Sequence, residues 1–328
     1  MPTIVHNPSQ YFGAFRDTIV VRGQAGAFEF VLPPTPTGFG CFGLSDAGYL
    51  CVGSGAEGGP NRIVVTDDFV TYQDTASVLY SDYNYADMPT YSFQGHDGLY
   101  AVSPWGRAYK ATDGRTFSLV SDEFDRLAYC NGIYLIDSDY TLKVSTDAAS
   151  WVTVSPEPGQ HVATFRNGTE TGVVTYGAAW SVSSSGAAIK IADKPLEAGD
   201  IRLGFYSTAN LDHTYVLADP DPDFDPPLPA GLRLYRVDSA GFTLAHVIDG
   251  LSLASGPAYY VDGFLYLSVF NSEWVPWIYE IDPVSGTANP VLEITAYLGG
   301  TASFMVLPGG EIPVQLFWTS FNLTYEIP

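Results

Sequence analysis

Seven short runs of β-forming residues recur along the chain, and their spacing restricts the fold more than any other feature. The runs Tyr49–Gly53, Leu99–Ser103, Ile133–Asp137, Gly172–Tyr176, Thr214–Ala218, Phe264–Phe270 and Pro313–Thr319 are apolar or alternating, and each follows a turn containing Gly, Asp, Asn or His. Helical periodicity beyond two turns is nearly lacking, so the pattern is that of an all-β chain. Successive runs begin roughly 35 to 50 residues apart, the length needed for a four-stranded antiparallel unit and its connections. The expected architecture is a single β-propeller of four-stranded blades, seven in number, with six as the alternative count.

A row of sheets leaves two exposed edges, and pairing an N-terminal strand with the last C-terminal strands removes them. Either Thr18–Arg22 or Ala27–Leu32 is suited to complete the unit that contains Pro313–Thr319 and Leu323–Ile327. No shift in composition marks a second domain. The expected parsing is an N-terminal arm over residues 1–17 and one propeller over residues 18–328, closed by an N-terminal strand.

Charge narrows the range of partners. With 14 Lys and Arg against 36 Asp and Glu, the net charge is −22, and the long-range field repels phosphate backbones and anionic membranes. Nucleic acid and membrane insertion are therefore not expected. No 18-residue apolar run occurs, and Met1–Gln10 lacks a basic segment followed by an apolar one, so neither a membrane span nor a secretory signal is expected. Cys41, Cys51 and Cys130 lack C-x-x-C spacing and read as buried free thiols.

A second pattern recurs between the apolar runs. It appears in Val65-Thr66-Asp67-Asp68-Phe69-Val70-Thr71-Tyr72, in Ala111-Thr112-Asp113-Gly114-Arg115-Thr116-Phe117 and in Val144-Ser145-Thr146-Asp147-Ala148-Ala149-Ser150-Trp151. Weaker echoes are Ser183-Ser184-Ser185-Gly186, Val237-Asp238-Ser239-Ala240-Gly241-Phe242 and Ile281-Asp282-Pro283-Val284-Ser285-Gly286. An Asp in such a turn accepts hydrogen bonds from the turn's own amides, and the aromatic that follows packs between sheets. These residues resemble the Asp-box, or sialidase-type, repeat of β-propellers over residues 45 to 290. The resemblance implies that Asp67, Asp113, Asp147 and Trp151 are structural, on hairpins between third and fourth strands and away from a substrate face.

Other motifs carry less chemistry. Gly38-Phe39-Gly40-Cys41-Phe42-Gly43 and Gly53-Ser54-Gly55-Ala56-Glu57-Gly58 satisfy G-x-G-x-x-G, but no helix follows either, so they read as hairpin glycines rather than a phosphate cradle. Asp219, Asp221, Asp223 and Asp225 alternate with prolines in an extended excursion; their spacing suits Ca²⁺, although Phe224 and Ala230 stand where an EF-hand-like loop has Gly and Glu. Ca²⁺ is the one cofactor this spacing suggests, and an anionic solvated loop is the plainer reading. His6, His96, His161, His213 and His246 are too scattered for a zinc site.

The resemblance to sialidase-type propellers raises a glycan hydrolase as an alternative, with Arg107, Arg126, Arg166, Arg202 and Arg233 as the guanidinia that different blades could supply. Asn61-Arg62-Ile63-Val64 lacks the proline of the Arg-Ile-Pro found in those enzymes. The stronger recognition candidates are aromatic: Tyr80, Tyr83, Tyr85 and Tyr91 in one connection, and Trp274 and Trp277 in another. Aromatic faces stack on sugar rings while neighbouring Asp and Asn bind hydroxyls, with no catalytic pair required.

The reading is a non-catalytic binding and structural module, similar to propeller proteins of bacteriophage virions. That likeness implies a tail or fibre location and a part in attachment or assembly. Its expected partners are other virion proteins, surface glycans or further copies of itself. An intracellular protein-interaction scaffold is the second alternative.

Overall fold

The computed structural model describes the chain outside residues 1–2, 7–9, 12–13, 37–38, 47, 55–60, 69–70, 80–88, 90, 104–106, 122–125, 139–140, 206, 208–210, 221–230, 250–257, 271–275, 297–300, 305, 307–310, 319–322 and 327–328. The chain forms two compact units, Met1–Leu127 with Leu292–Pro328, and Ala128–Val291.

Each of the seven apolar runs forms the second strand of an antiparallel sheet. Sheet one joins Phe39–Ser45, Gly48–Ser54, Asn61–Thr66 and Gln73–Val78. Sheet two joins Tyr91–Gly95, Gly98–Val102, Ala108–Ala111 and Ser118–Ser121. Arg126–Cys130, Ile133–Ser138, Thr141–Ser145 and Val152–Thr153 make sheet three. His161–Asn167, Glu170–Thr175, Ala178–Val182 and Ala188–Asp193 make sheet four. Sheet five holds Ala198–Gly204, His213–Pro220, Leu232–Asp238 and Gly241–Ile248. Sheet six holds Ala258–Val261, Phe264–Phe270, Pro276–Ile281 and Ala288–Ala296. Sheet seven combines C-terminal Thr301–Phe304 and Glu311–Trp318 with N-terminal Ala14–Gln24 and Ala27–Pro36. Seven successive four-stranded blades of this kind are the plan of a β-propeller.

The register of sheet seven joins the chain ends within the first unit. Phe15 faces Trp318 and Arg22 faces Glu311 along one continuous antiparallel pairing. Thr3–His6 adds a further pairing with Leu323–Glu326, which lies beside Ala288–Ala296. Arg22 and Tyr49 both donate to the Glu311 carboxylate, which fastens the N-terminal strand and sheet one to the same C-terminal residue.

Burial explains why the second strands read as continuous apolar runs. Gly98–Val102 is buried at every residue, as is Ile133–Asp137, because sheets packed on both faces leave no wet side. The fourth strand of sheet four, Ala188–Asp193, is by contrast exposed or half-buried after Ala188. In the first unit, Phe42, Leu50, Ile63 and Val65 of sheet one interlock with Leu99, Ala101 and Tyr109 of sheet two. In the second unit, equivalent layers lie between sheets three and four, four and five, and five and six. Each buried Leu, Val or Ile contributes about 1.5–3 kcal/mol relative to exposure.

Candidate functional site

In six of the seven sheets the hairpin that joins third to fourth strands carries a side-chain acceptor for the turn's own amides. Asp113 Oδ1 accepts the Arg115 and Thr116 N–H groups at 2.9 and 2.7 Å. Asp147 Oδ1 accepts those of Ala149 and Ser150 at 2.9 and 2.7 Å, together with the Ser145 hydroxyl at 2.8 Å. Backbone donors stabilise the ionised form, so the Asp113 carboxyl is held down to about 2 and that of Asp147 is lowered further. Gly114, with φ of 68°, and Ala148, with φ of 56°, make the same left-handed step after the Asp.

In the first hairpin Asp68, the neighbour of the expected Asp67, is an accepting carboxylate. Asp68 Oδ1 takes the Thr71 N–H at 2.7 Å and the Thr66 hydroxyl at 3.2 Å, while Asp67 is exposed. The distinguishing signal is the spacing Thr66-x-Asp68, which matches Ser145-x-Asp147. In sheets five and six, Asp238 and Asp282 accept turn amides at 2.8 Å, and in sheet four the Ser183 hydroxyl substitutes, accepting the Ala187 N–H at 3.2 Å. Trp151 is half-buried after its turn.

The predicted aromatic residues fall into different settings. Tyr80, Tyr83, Tyr85 and Trp274 lie outside the described residues, as do Asp221, Asp223 and Asp225. Asp219 is half-buried near the end of the second strand of sheet five. Among the described residues no group of three His, Cys, Asp or Glu side chains is placed to hold a metal ion.

Tyr91 serves the fold: its hydroxyl donates to Leu127 O at 2.9 Å and accepts the Leu127 N–H at 3.2 Å. Trp277 stacks on Tyr279 at 6.0 Å and packs against the core between sheets five and six. Nearby, His213, Tyr215 and Tyr260 form a triangle of rings 5.1 to 5.8 Å apart. Burial lowers the His213 pKa, aided by Arg236, and burial raises those of Tyr215 and Tyr260.

Among the arginines, Arg166 is committed to Asp212 at 2.6 Å, and Arg233 is buried on the third strand of sheet five. Cys51 and Cys130 are buried thiols outside any disulfide, and burial pushes the Cys130 thiol up to about 12. Such a thiol is a poor nucleophile.

A groove that the sequence did not single out lies on sheet four, with a volume of about 310 Å³. Its walls come from the connection entering the sheet, Pro158 to Gln160, from the turn at Tyr176 and Gly177, and from Trp180, Lys190 and Asp193. Tyr176 is 44% exposed at the turn between the second and third strands. That turn is fixed by Thr175 Oγ1, which donates to Ala178 O at 3.1 Å and accepts the Ala178 N–H at 3.2 Å. Lys194 N–H donates to Gly177 O at 2.8 Å and ties the turn to the end of the fourth strand.

Trp180 packs one side against the core between sheets three and four, while Lys190 Nζ lies 5.5 Å from its ring centroid. Lys190 also pairs with Asp193 at 2.8 Å. The indole N–H of Trp180 is buried without a hydrogen-bond partner among the described residues. The groove therefore combines an exposed aromatic on a fixed turn, an indole wall, Gln160 and a neutralised ammonium–carboxylate pair. A second hollow of about 450 Å³ adjoins the Asp113 turn and is lined by Asp46, Gln94, Thr112 and Arg115.

Comparison with known proteins bears on the fold. No protein-family model and no curated protein matches the chain. A solved protein from Lactobacillus plantarum superposes with a TM-score of 0.50 at 14% identity, over 85% of this chain and 96% of that one. The WD40 domain of Neurospora crassa Pan2 also gives 0.50, at 11% identity over 87% and 90% of the two chains. The computationally designed protein Ika8 gives 0.50 at 11% identity, over 90% and 92%. The shared feature is the β-propeller fold. Identities this low carry architecture and no activity. Among the described residues, no helix is long and apolar enough to cross a membrane.

Proposed function

We propose that this protein is a non-catalytic β-propeller recognition module, a tail or fibre component of a bacteriophage virion that acts in attachment or assembly. One observation carries the non-catalytic part. The carboxylates of Asp113, Asp147, Asp238 and Asp282 accept the amides of their own turns, contacts that favour the ionised form. Two-carboxylate glycoside hydrolysis needs an acid whose pKa is raised, so these groups are tuned for structure. The six hairpins fit the same reading as degenerate Asp boxes, because their acceptors join third to fourth strands and serve the turn itself. The virion setting is supported by the acidic, Tyr- and Gly-rich composition and by the irregular box repeat.

The test has two arms. The pure protein is incubated with immobilised glycans while retained protein and released sugar are followed together; retention without release is expected, and release would establish hydrolysis. Antibody against the protein is applied to phage particles from a lysate in which the chain is encoded. Labelling of tails or fibres is expected, whereas particles free of the protein would remove the virion assignment.

A further inference from the structure

We infer that the groove on sheet four is a binding site for an uncharged saccharide, with the Tyr176 ring as its platform. The inference rests on the recognition reading above and adds a site and a ligand class to it. The ring is exposed, whereas Tyr91 and Trp277 are engaged in packing, so Tyr176 is free to present an apolar face. Its turn is held by reciprocal hydrogen bonds between Thr175 and Ala178 and by the Lys194–Gly177 contact, so stacking orders no loop on binding.

The polar groups beside it suit hydroxyls in particular. A hydroxyl both donates and accepts, so it can bridge the Lys190 ammonium and the Asp193 carboxylate without disturbing their charge balance. Gln160, also in the lining, carries a side-chain amide with donor and acceptor capacity. The volume, about 310 Å³, accommodates one or two sugar rings.

Charge then selects among sugars. The single ammonium in the groove is already paired with Asp193, and the chain carries a net charge of −22. An acidic saccharide would meet long-range repulsion with no unpaired cation to receive it.

The experiment uses the full chain, Tyr176→Ala and Asp193→Ala on an array of immobilised neutral and sialylated oligosaccharides. Isothermal titration follows with the soluble neutral oligosaccharide that gives the strongest signal. The expected result is retention on neutral glycans, with affinity about tenfold weaker in each variant and melting curves matching the parent, since both side chains are exposed. Equal affinity in parent and variants would overturn the site while leaving glycan recognition elsewhere on the protein. Preference for sialylated glycans would overturn the ligand class, and no retention on any glycan would overturn the saccharide assignment altogether. The virion labelling is read independently of all three.

Discussion

Tyr91→Phe separates the two roles that an aromatic residue in this chain can play. The substitution keeps the ring and deletes one oxygen. That oxygen donates to Leu127 O at 2.9 Å and accepts from Leu127 N at 3.2 Å, and Leu127 is 3% exposed. Two hydrogen bonds at about 0.5–1.5 kcal/mol each give a loss of about 2 kcal/mol, and incomplete hydration of the freed backbone groups pushes the cost upward. At about 2.1 cal/mol/K of unfolding entropy per residue, 1 kcal/mol corresponds to roughly 1.5 °C for 328 residues, so the melting temperature should fall by about 3 °C. Differential scanning calorimetry of parent and variant measures this, and glycan binding measured below the transition should be unchanged. An unaltered melting temperature combined with weakened binding would refute the argument, because it would place the hydroxyl against a ligand instead of against Leu127.

Other consequences follow from the same contacts. Asp113, Asp147 and Asp282 have folded pKa values below their unfolded ones, so their contribution is complete above about pH 4 and is lost as pH falls through the folded values, near 2 for Asp113. Melting temperature should decline on acidification from pH 5 to pH 2, and a flat profile would contradict the turn hydrogen bonds. Gly172→Ala places a methyl 2.3 Å from the Phe165 ring, which is fully enclosed, so overpacking of about 1–3 kcal/mol should appear in thermal unfolding. Parental stability in that variant would mean the ring moves freely. Tyr266→Phe removes the 2.9 Å hydrogen bond to the fully buried Glu280 carboxylate and should cost about 1.5–3 kcal/mol by calorimetry, most of which Glu280→Gln in the same background should restore.

The blade plan was legible because it depends on local pattern. A strand buried on both faces must be apolar throughout, and a sheet of four must return after a nearly fixed length, so seven runs marked seven second strands without knowledge of any contact. The turn aspartates were legible for a related reason, since a carboxylate two residues beyond a strand can reach amides only two and three residues further on. Beside Asp67 the sequence passed over Asp68, whose carboxylate accepts the Thr66 hydroxyl and the Thr71 amide.

The groove was not legible. Gln160, Tyr176, Trp180, Lys190 and Asp193 are spread over a connection, a turn and two strands, and no spacing rule joins them. The same limit applied to Tyr91 and Trp277, which in sequence resemble any exposed aromatic. Sequence alone determined the class, the repeat and the sign of the long-range field, because each is a sum or a period along the chain. Tertiary structure decided, among the described residues, which rings became mortar and that Tyr176 stayed exposed, because that depends on which residues from distant strands arrive beside them.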